Sequence, residues 1–210
     1  LRTGEQLSVK ARLNPQVQFG EDVVSRLTFA YQAPDRLHQL QETILSCLNA
    51  LIADLCASAA VEADSVYLVT IAGNAAMNHL FLGVPPEHIG LAPYTAVFHE
   101  GPLWPAAETG LSINPSARVF VLPNIGGFVG GDTVAGLLAC DFLDAETPQL
   151  FIDIGTNCEV AVEKEGLLVA ASAPAGPTLE GACISHGMRA AHGPISDARW
   201  DGDPIALETI

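Results

Sequence analysis

Between Leu150 and Ala173 three β-forming stretches, LFIDI, EVAVEK and GLLVAASA, follow one another with only GTNC between the first two and a tight KEG turn where the second meets the third. Connections this short can join only antiparallel neighbours, because a parallel return needs a crossover of about a dozen residues or more. This part of the chain is therefore predicted to be an antiparallel meander. Upstream the pattern differs. Residues 65–71 (SVYLVTI) form a continuous apolar run, as in a strand buried on both faces. AGN then turns into a short helix, AAMNHLFL, stopped by Gly83. VFVLP at 119–123 reads as a second buried strand, and the glycines after it end at Asp132, placed to cap a helix TVAGLLACDFL. Strand–helix alternation of this kind argues for an α/β sheet with parallel pairs. The expected architecture is α/β in two similar lobes, residues 1–147 and 148–210. The first lacks an opening hairpin and the second its end, so the chain reads as a fragment of something longer.

The other elements fill in around these. Residues 7–13 (LSVKARL) alternate apolar and polar, predicting a half-exposed strand, and NPQ at 14–16 a turn. FGEDVVSRLTFA starts a short helix with Glu21 and Asp22 near its positive end, interrupted by Pro34. Asp35 is placed to cap a long helix, since Leu37, Leu40, Ile44, Leu48, Leu51 and Leu55 recur at three- and four-residue spacing. Residues 84–117 contain six prolines and little periodicity, and irregular stretches of that length are often functional.

A formal net charge of −15 argues against nucleic acid and anionic membranes as partners, although local N–H groups or a metal ion can still recruit a nucleotide. No apolar run of about 18 residues marks a membrane span. Five cysteines without CxxC spacing suit a reducing cytosol, and Cys47 and Cys56 fall on opposite sides of the long helix.

Three segments can carry chemistry. In FIDIGTN a strand feeds a tight turn, which would offer the N–H groups of Gly155, Thr156 and Asn157 to an anion. Gly155 permits close approach of phosphate, and Asp153 could hold Mg²⁺ through water. A plain hairpin with Asp and Asn satisfying turn hydrogen bonds fits the same residues. In NIGGFVGGDTVAG, Gly126, Gly127, Gly130 and Gly131 suit a place where a ligand or another backbone comes close. Asp132 is either an N-cap or a residue orienting water or Mg²⁺. There is no GK[ST], so this is no Walker A loop. In APAGPTLEGACISHGMRAAHG, Gly176, Gly181, Gly187 and Gly193 flank a predicted short helix with the acid Glu180 near its start, and Arg189 could meet a phosphate or a carboxylate. Asn74 in IAGN is a helix cap or a ligand contact.

In this order the segments NPQ-x-x-FGEDVVSR, IAGNAAMNHLFLG, LPNIGGFVGGDTVAG, FIDIGTNCEVAV, APAGPTLEGA and GMRAAHGPI resemble the ASKHA (actin-like ATPase) region of the reductive activators of corrinoid proteins. The resemblance spans nearly the whole chain. It implies two RNase H-like lobes with nucleotide in the cleft, and ATP and Mg²⁺ as cofactors. By that resemblance FIDIGTN is the phosphate hairpin of the second lobe. Asp153 would bind Mg²⁺ and act with Asp132 in catalysis. Gly130, Gly131, Thr133, Gly155, Thr156, Asn157, Gly176 and Glu180 would contact nucleotide. The implied activity is ATP-driven return of Co(II) corrinoid to Co(I) for methyl transfer. An iron–sulfur cluster would sit on a domain outside this chain, a corrinoid protein would be the partner, and the setting would be cytoplasmic; a homodimer is compatible. Cys158 stands where the family commonly has glycine and His192 where it commonly has proline, so a positive φ at 158 would strain the tip.

Two other functions use the same residues. A small-molecule kinase of this superfold would need an acceptor pocket near Asp132. A docking module would use exposed aromatics of the proline-rich stretch, Tyr94, Phe98 and Trp104.

Overall fold

A computed structural model describes residues 3–144, 147–176, 185, 195–200 and 205–209. The chain divides into two units, Leu1–Cys140 and Asp141–Ile210.

In the first unit, Asn14 caps a 3-10 turn, Pro15–Gln18, by accepting from Gln16 N–H. The buried Gln16 side chain then donates to Leu40 O at 2.9 Å, tying the turn to the long helix. Helix α1 (Val23–Tyr31) begins in a capping box: Ser25 N–H donates to Asp22 Oδ1 at 2.7 Å, and Asp22 N–H donates to Ser25 Oγ. Helix α2 (Pro34–Ala59) has Pro34 in its first turn and Ala33 as N-cap, so Asp35 lies inside the first turn and is not the expected cap. Of its predicted apolar stripe Leu37, Leu40 and Leu48 pack into the cores, joined by the unpredicted Leu45 and Ile52, whereas Ile44, Leu51 and Leu55 are half-buried outside these clusters. Leu40 is fully buried with Leu80 and Ala30, while Leu45, Leu48 and Ile52 pack against a core of Phe81, Leu111, Val119 and Val121.

By length and composition alone α2 is apolar enough to cross a membrane. Core helices pass the same test, and here Gln39, Gln41, Glu42, Thr43 and Ser46 interrupt any continuous apolar run.

Strand β1 (Leu68–Ile71) leads into helix α3 (Ala75–Leu82), which Asn74 caps by accepting from Met77 N–H and Gly83 ends at φ 66°. Strand β2 (Leu103–Pro105) and the single turn α4 (Ala106–Thr109) punctuate the proline-rich stretch, which is thus not wholly irregular. Strand β3 (Arg118–Val121) is followed by the glycine-rich loop and helix α5 (Gly131–Ala139). The sheet order is β1-β3-β2, with β1 parallel and β2 antiparallel to β3. β3 is central, with Val119 and Val121 fully buried. Among the described residues β1 lies at the edge of the sheet and alternates exposed with half-buried residues, against the expectation of burial on both faces. Residues 7–13 form no strand. Their alternation suits pairing, but among the described residues no strand lies beside them, and Leu7, Val9 and Leu13 are exposed.

In the second unit β4 (Gln149–Ile154), β5 (Asn157–Lys164) and β6 (Leu167–Pro174) make the predicted meander, antiparallel throughout. The β5–β6 turn is Glu165–Gly166, both at positive φ (56° and 80°), the two-residue geometry that matches strand twist. Glu163 locks it by accepting from Gly166 N–H at 2.7 Å. Strands β7 (Ile195–Arg199) and β8 (Ala206–Thr209) form a separate antiparallel pair.

A polar seam crosses the first unit. His79 is fully buried; its Nδ1 lies 2.6 Å from Ala75 O and its Nε2 accepts from Val97 N–H at 3.0 Å. The acceptor role of Nε2 requires a neutral ring with the proton on Nδ1. Desolvation pushes the His79 pKa down from its ordinary 6.5, against a smaller upward pull from the bond to Ala75. The folded state thus binds fewer protons than the unfolded one, and stability contributed by the neutral ring is lost as pH falls below about 6.5. Urea unfolding from pH 7.5 to 5 should show falling stability, and His79→Gln should flatten that dependence; equal slopes for the two proteins refute it.

Candidate functional site

The first group of expected site residues lies at the start of α5. Asp132 N–H donates to Gly73 O at 3.2 Å, so the loop after β1 and the first turn of α5 meet directly. The glycines here answer to the chain's own backbone. A Cβ on Gly130 would lie 2.6 Å from Asn74 Cα and from Ala75 N, and one on Gly131 would lie 2.9 Å from Leu122 Cβ. A Cβ on Gly127 would lie 1.8 Å from Tyr94 O, whereas one on Gly126 meets nothing within 4 Å. Three of the four glycines are therefore required by packing, with two helix starts in contact.

Asp132 does not cap α5. Gly130 is the N-cap, with no side chain to contribute, and Asp132 Oδ1 accepts from Thr133 N–H at 2.8 Å. An acid in a first turn offsets the positive helix end and favours a cation or water there over a bare phosphate. Thr133 is buried, its hydroxyl turned inward, and Asn74 serves as a helix cap. Beneath them Asn78 Nδ2 donates to Asn124 Oδ1 at 3.1 Å. No local pattern marks this buried pair, because its partners lie 46 positions apart.

The second group is the β4–β5 tip. Ile154 pairs with Cys158, leaving Gly155, Thr156 and Asn157 as the loop. Gly155 N–H donates to Asn157 O at 2.9 Å, so it closes the turn and is not the free donor expected. Thr156 O accepts from both Ala175 N–H and Gly176 N–H, at 3.1 and 2.7 Å. Gly176 reaches φ 84° there, which explains its glycine. Gly155, Thr156, Asn157 and Gly176 are thus gathered at one tip. Glu180, with Gly181 and Arg189, lies outside the described residues.

The register adds residues that the motif did not flag. Asp153 sits directly opposite Glu159, and Glu159 opposite Ser172, whose Oγ donates to Glu159 Oε1 at 2.9 Å. Two carboxylates facing each other are unfavourable unless something between them compensates. Counting back from Gly155 and forward from Cys158 would have found Glu159. Among the described residues no three His, Cys, Asp or Glu side chains gather as a metal cage. Mg²⁺ beside a phosphate keeps most of its waters and uses only one or two carboxylates, a number this pair could supply.

Cys158 occupies an ordinary position in β5, paired with Ile154 and Ala173, and is absent from the residues at positive φ. The tip is unstrained there.

Comparison with known proteins fits this geometry. Residues 1–145 match the family described as the RACo middle region, and residues 147–210 the C-terminal domain of RACo, the ASKHA domain. The chain belongs to this family of reductive activators of corrinoid proteins. It is 36% identical over all its 210 residues to the corrinoid activation enzyme RamQ of Eubacterium limosum, covering 35% of that protein. Over 101 residues, 48% of this chain, it is 39% identical to the [Co(II) methylated amine-specific corrinoid protein] reductase of Methanosarcina barkeri, covering 19% of it. The solved structure of a reductive activator for corrinoid, iron–sulfur protein superposes with a TM-score of 0.87 at 37% identity, over 99% of this chain and 33% of that one. The chain thus spans about a third of the length of the relatives that it matches along its whole length.

Two substitutions test the geometry. Gly130→Ala should destabilise the protein by about 1–3 kcal/mol, because the methyl group meets backbone rather than a movable side chain. Cys158→Gly should cost about 0.5–1 kcal/mol, as glycine does inside a strand. Urea denaturation measures both, and a stabilising Cys158→Gly would contradict the strand assignment.

Proposed function

We propose that this chain is the nucleotide-responsive part of a protein that uses ATP to return Co(II) corrinoid proteins to Co(I) for methyl transfer. The observation that carries this reading is the hairpin at the start of the ASKHA domain, where Asp153 and Glu159 face each other beside the Gly155–Asn157 tip. Bound ATP supplies the free energy of phosphoryl transfer to water. The chain's own residues have distinct parts. Asp153, with Glu159 beside it, would hold Mg²⁺ through water. Gly155 leaves room for a phosphate, and Thr156 and Asn157 bring side-chain donors to it. Ser172 fixes Glu159 through its hydroxyl. Asp132, with Gly130, Gly131 and Thr133 around it, belongs to the middle region and would position metal or water at that helix start. Electrons would come from an iron–sulfur cluster on another part of the whole protein. The unpaired Cys47, Cys56, Cys140 and Cys158 support a reducing, cytoplasmic setting.

In the full-length protein, Asp153→Ala should slow ATP hydrolysis and ATP-dependent corrinoid reduction by about 10²-fold, the usual loss when one preorganised electrostatic group is removed. ATP hydrolysis unchanged by both Asp153→Ala and Asp132→Ala would refute these roles.

A further inference from the structure

Two loops of the first unit hold a surface that the proposed ATP chemistry does not use. Tyr94 has φ 59°, in the left-handed region that disfavours bulky side chains. Such outliers persist only where their surroundings over-determine them, and they concentrate at working surfaces. The surroundings here are explicit. Gly127 lies so close to Tyr94 O that no Cβ fits between them. Asn124 donates from its backbone to His99 O at 3.0 Å and from its side chain to Phe98 O at 3.3 Å. Val97 N–H is held by buried His79, and Phe98 stacks on the His79 ring at 4.7 Å. Of the three aromatics expected to be exposed, Phe98 and Trp104 are half-buried and only Tyr94 stands out.

It does not stand alone. Tyr94 and Phe128 lie ring against ring, centroids 5.1 Å apart, and are 46% and 40% exposed. Leu91, Val97 and Ile125, on the same two loops, are exposed as well. An apolar group held rigidly in solvent by a strained backbone is the form of a recognition surface.

Charge favours one kind of occupant. Between Arg36 and Arg118 the sequence has no Lys or Arg and seven Asp or Glu. Two of these, Glu87 and Glu100, are exposed and flank the Tyr94 loop in sequence. A second copy would bring the same acidic surround against this one, whereas a partner with basic side chains around an apolar contact is drawn to it. We infer that the Tyr94–Phe128 surface docks the corrinoid protein, through an apolar contact on that protein rimmed by Lys and Arg. This rests on the reductive-activator reading above.

The test uses the full-length protein and its corrinoid protein, with KM for the corrinoid protein, saturating kcat and ATP hydrolysis measured separately. Tyr94→Ala and Phe128→Ala should each raise KM about tenfold or more, leaving kcat and ATP hydrolysis unchanged. Tyr94→Phe should behave as the parent. Glu87→Lys with Glu100→Lys, which needs no change in the apolar contact, should raise KM and flatten its rise with salt. Unchanged KM in the folded alanine variants overturns the docking surface while leaving the ATP-dependent activity intact. Loss of self-association in sedimentation, with KM unchanged, assigns the surface to a second copy and also overturns it. A parent protein that reduces no corrinoid protein removes the reductive-activator reading itself and this inference with it.

Discussion

The contact on which the first unit depends is between two helix starts. Gly130 and Asn74 approach so closely that only hydrogen fits at position 130, and the bond from Asp132 N–H to Gly73 O fastens the pair. That contact joins the loops after the two parallel strands, β1 and β3, at their carboxyl ends, where open α/β sheets place their working residues. The buried Asn78–Asn124 bond and the His79–Val97 bond lie just beneath it. The Asn78–Asn124 bond and the His79 ring are buried, where an unpaired polar group costs far more than a paired one gains. The loops above are consequently held in one arrangement by groups that cannot exchange partners cheaply.

Much of this was legible in the chain. The long helix followed from leucines at three- and four-residue spacing, and the meander followed from two turns too short for anything else. What failed had non-local causes. Residues 7–13 have strand periodicity but no neighbour among the described residues, and a pattern supplies no hydrogen-bond partner. The run before Ile71 looked doubly buried, yet its strand is at an edge, which no local pattern records. Asp132 looked like a cap because it followed glycines, whereas Gly130 had already taken that position to let another backbone in.

The candidate site was assembled from the motif, and the register added a residue to it. FIDIGTN pointed to Asp153, and the loop length decided that Glu159 would face it. Gly155 was read as a free donor, but a three-residue loop uses that N–H to close itself. The glycine-rich loop was read as a place of close approach, and at Gly127, Gly130 and Gly131 the chain itself comes that close.

The meander also separates two kinds of residue by parity. Asp153, Glu159 and Ser172 project from one side, and Ile154, Cys158 and Ala173 from the other. Substitution at position 158 therefore acts on the apolar side and leaves the acids in place. The same parity makes loop length a strict requirement. With the loop kept at three residues, adding one residue at the tip would turn β5 over relative to β4 and set Cys158 opposite Asp153, and deleting one would set Val160 there, so either change removes the facing carboxylate. Within such a hairpin the sequence can drift at single positions but cannot change its count.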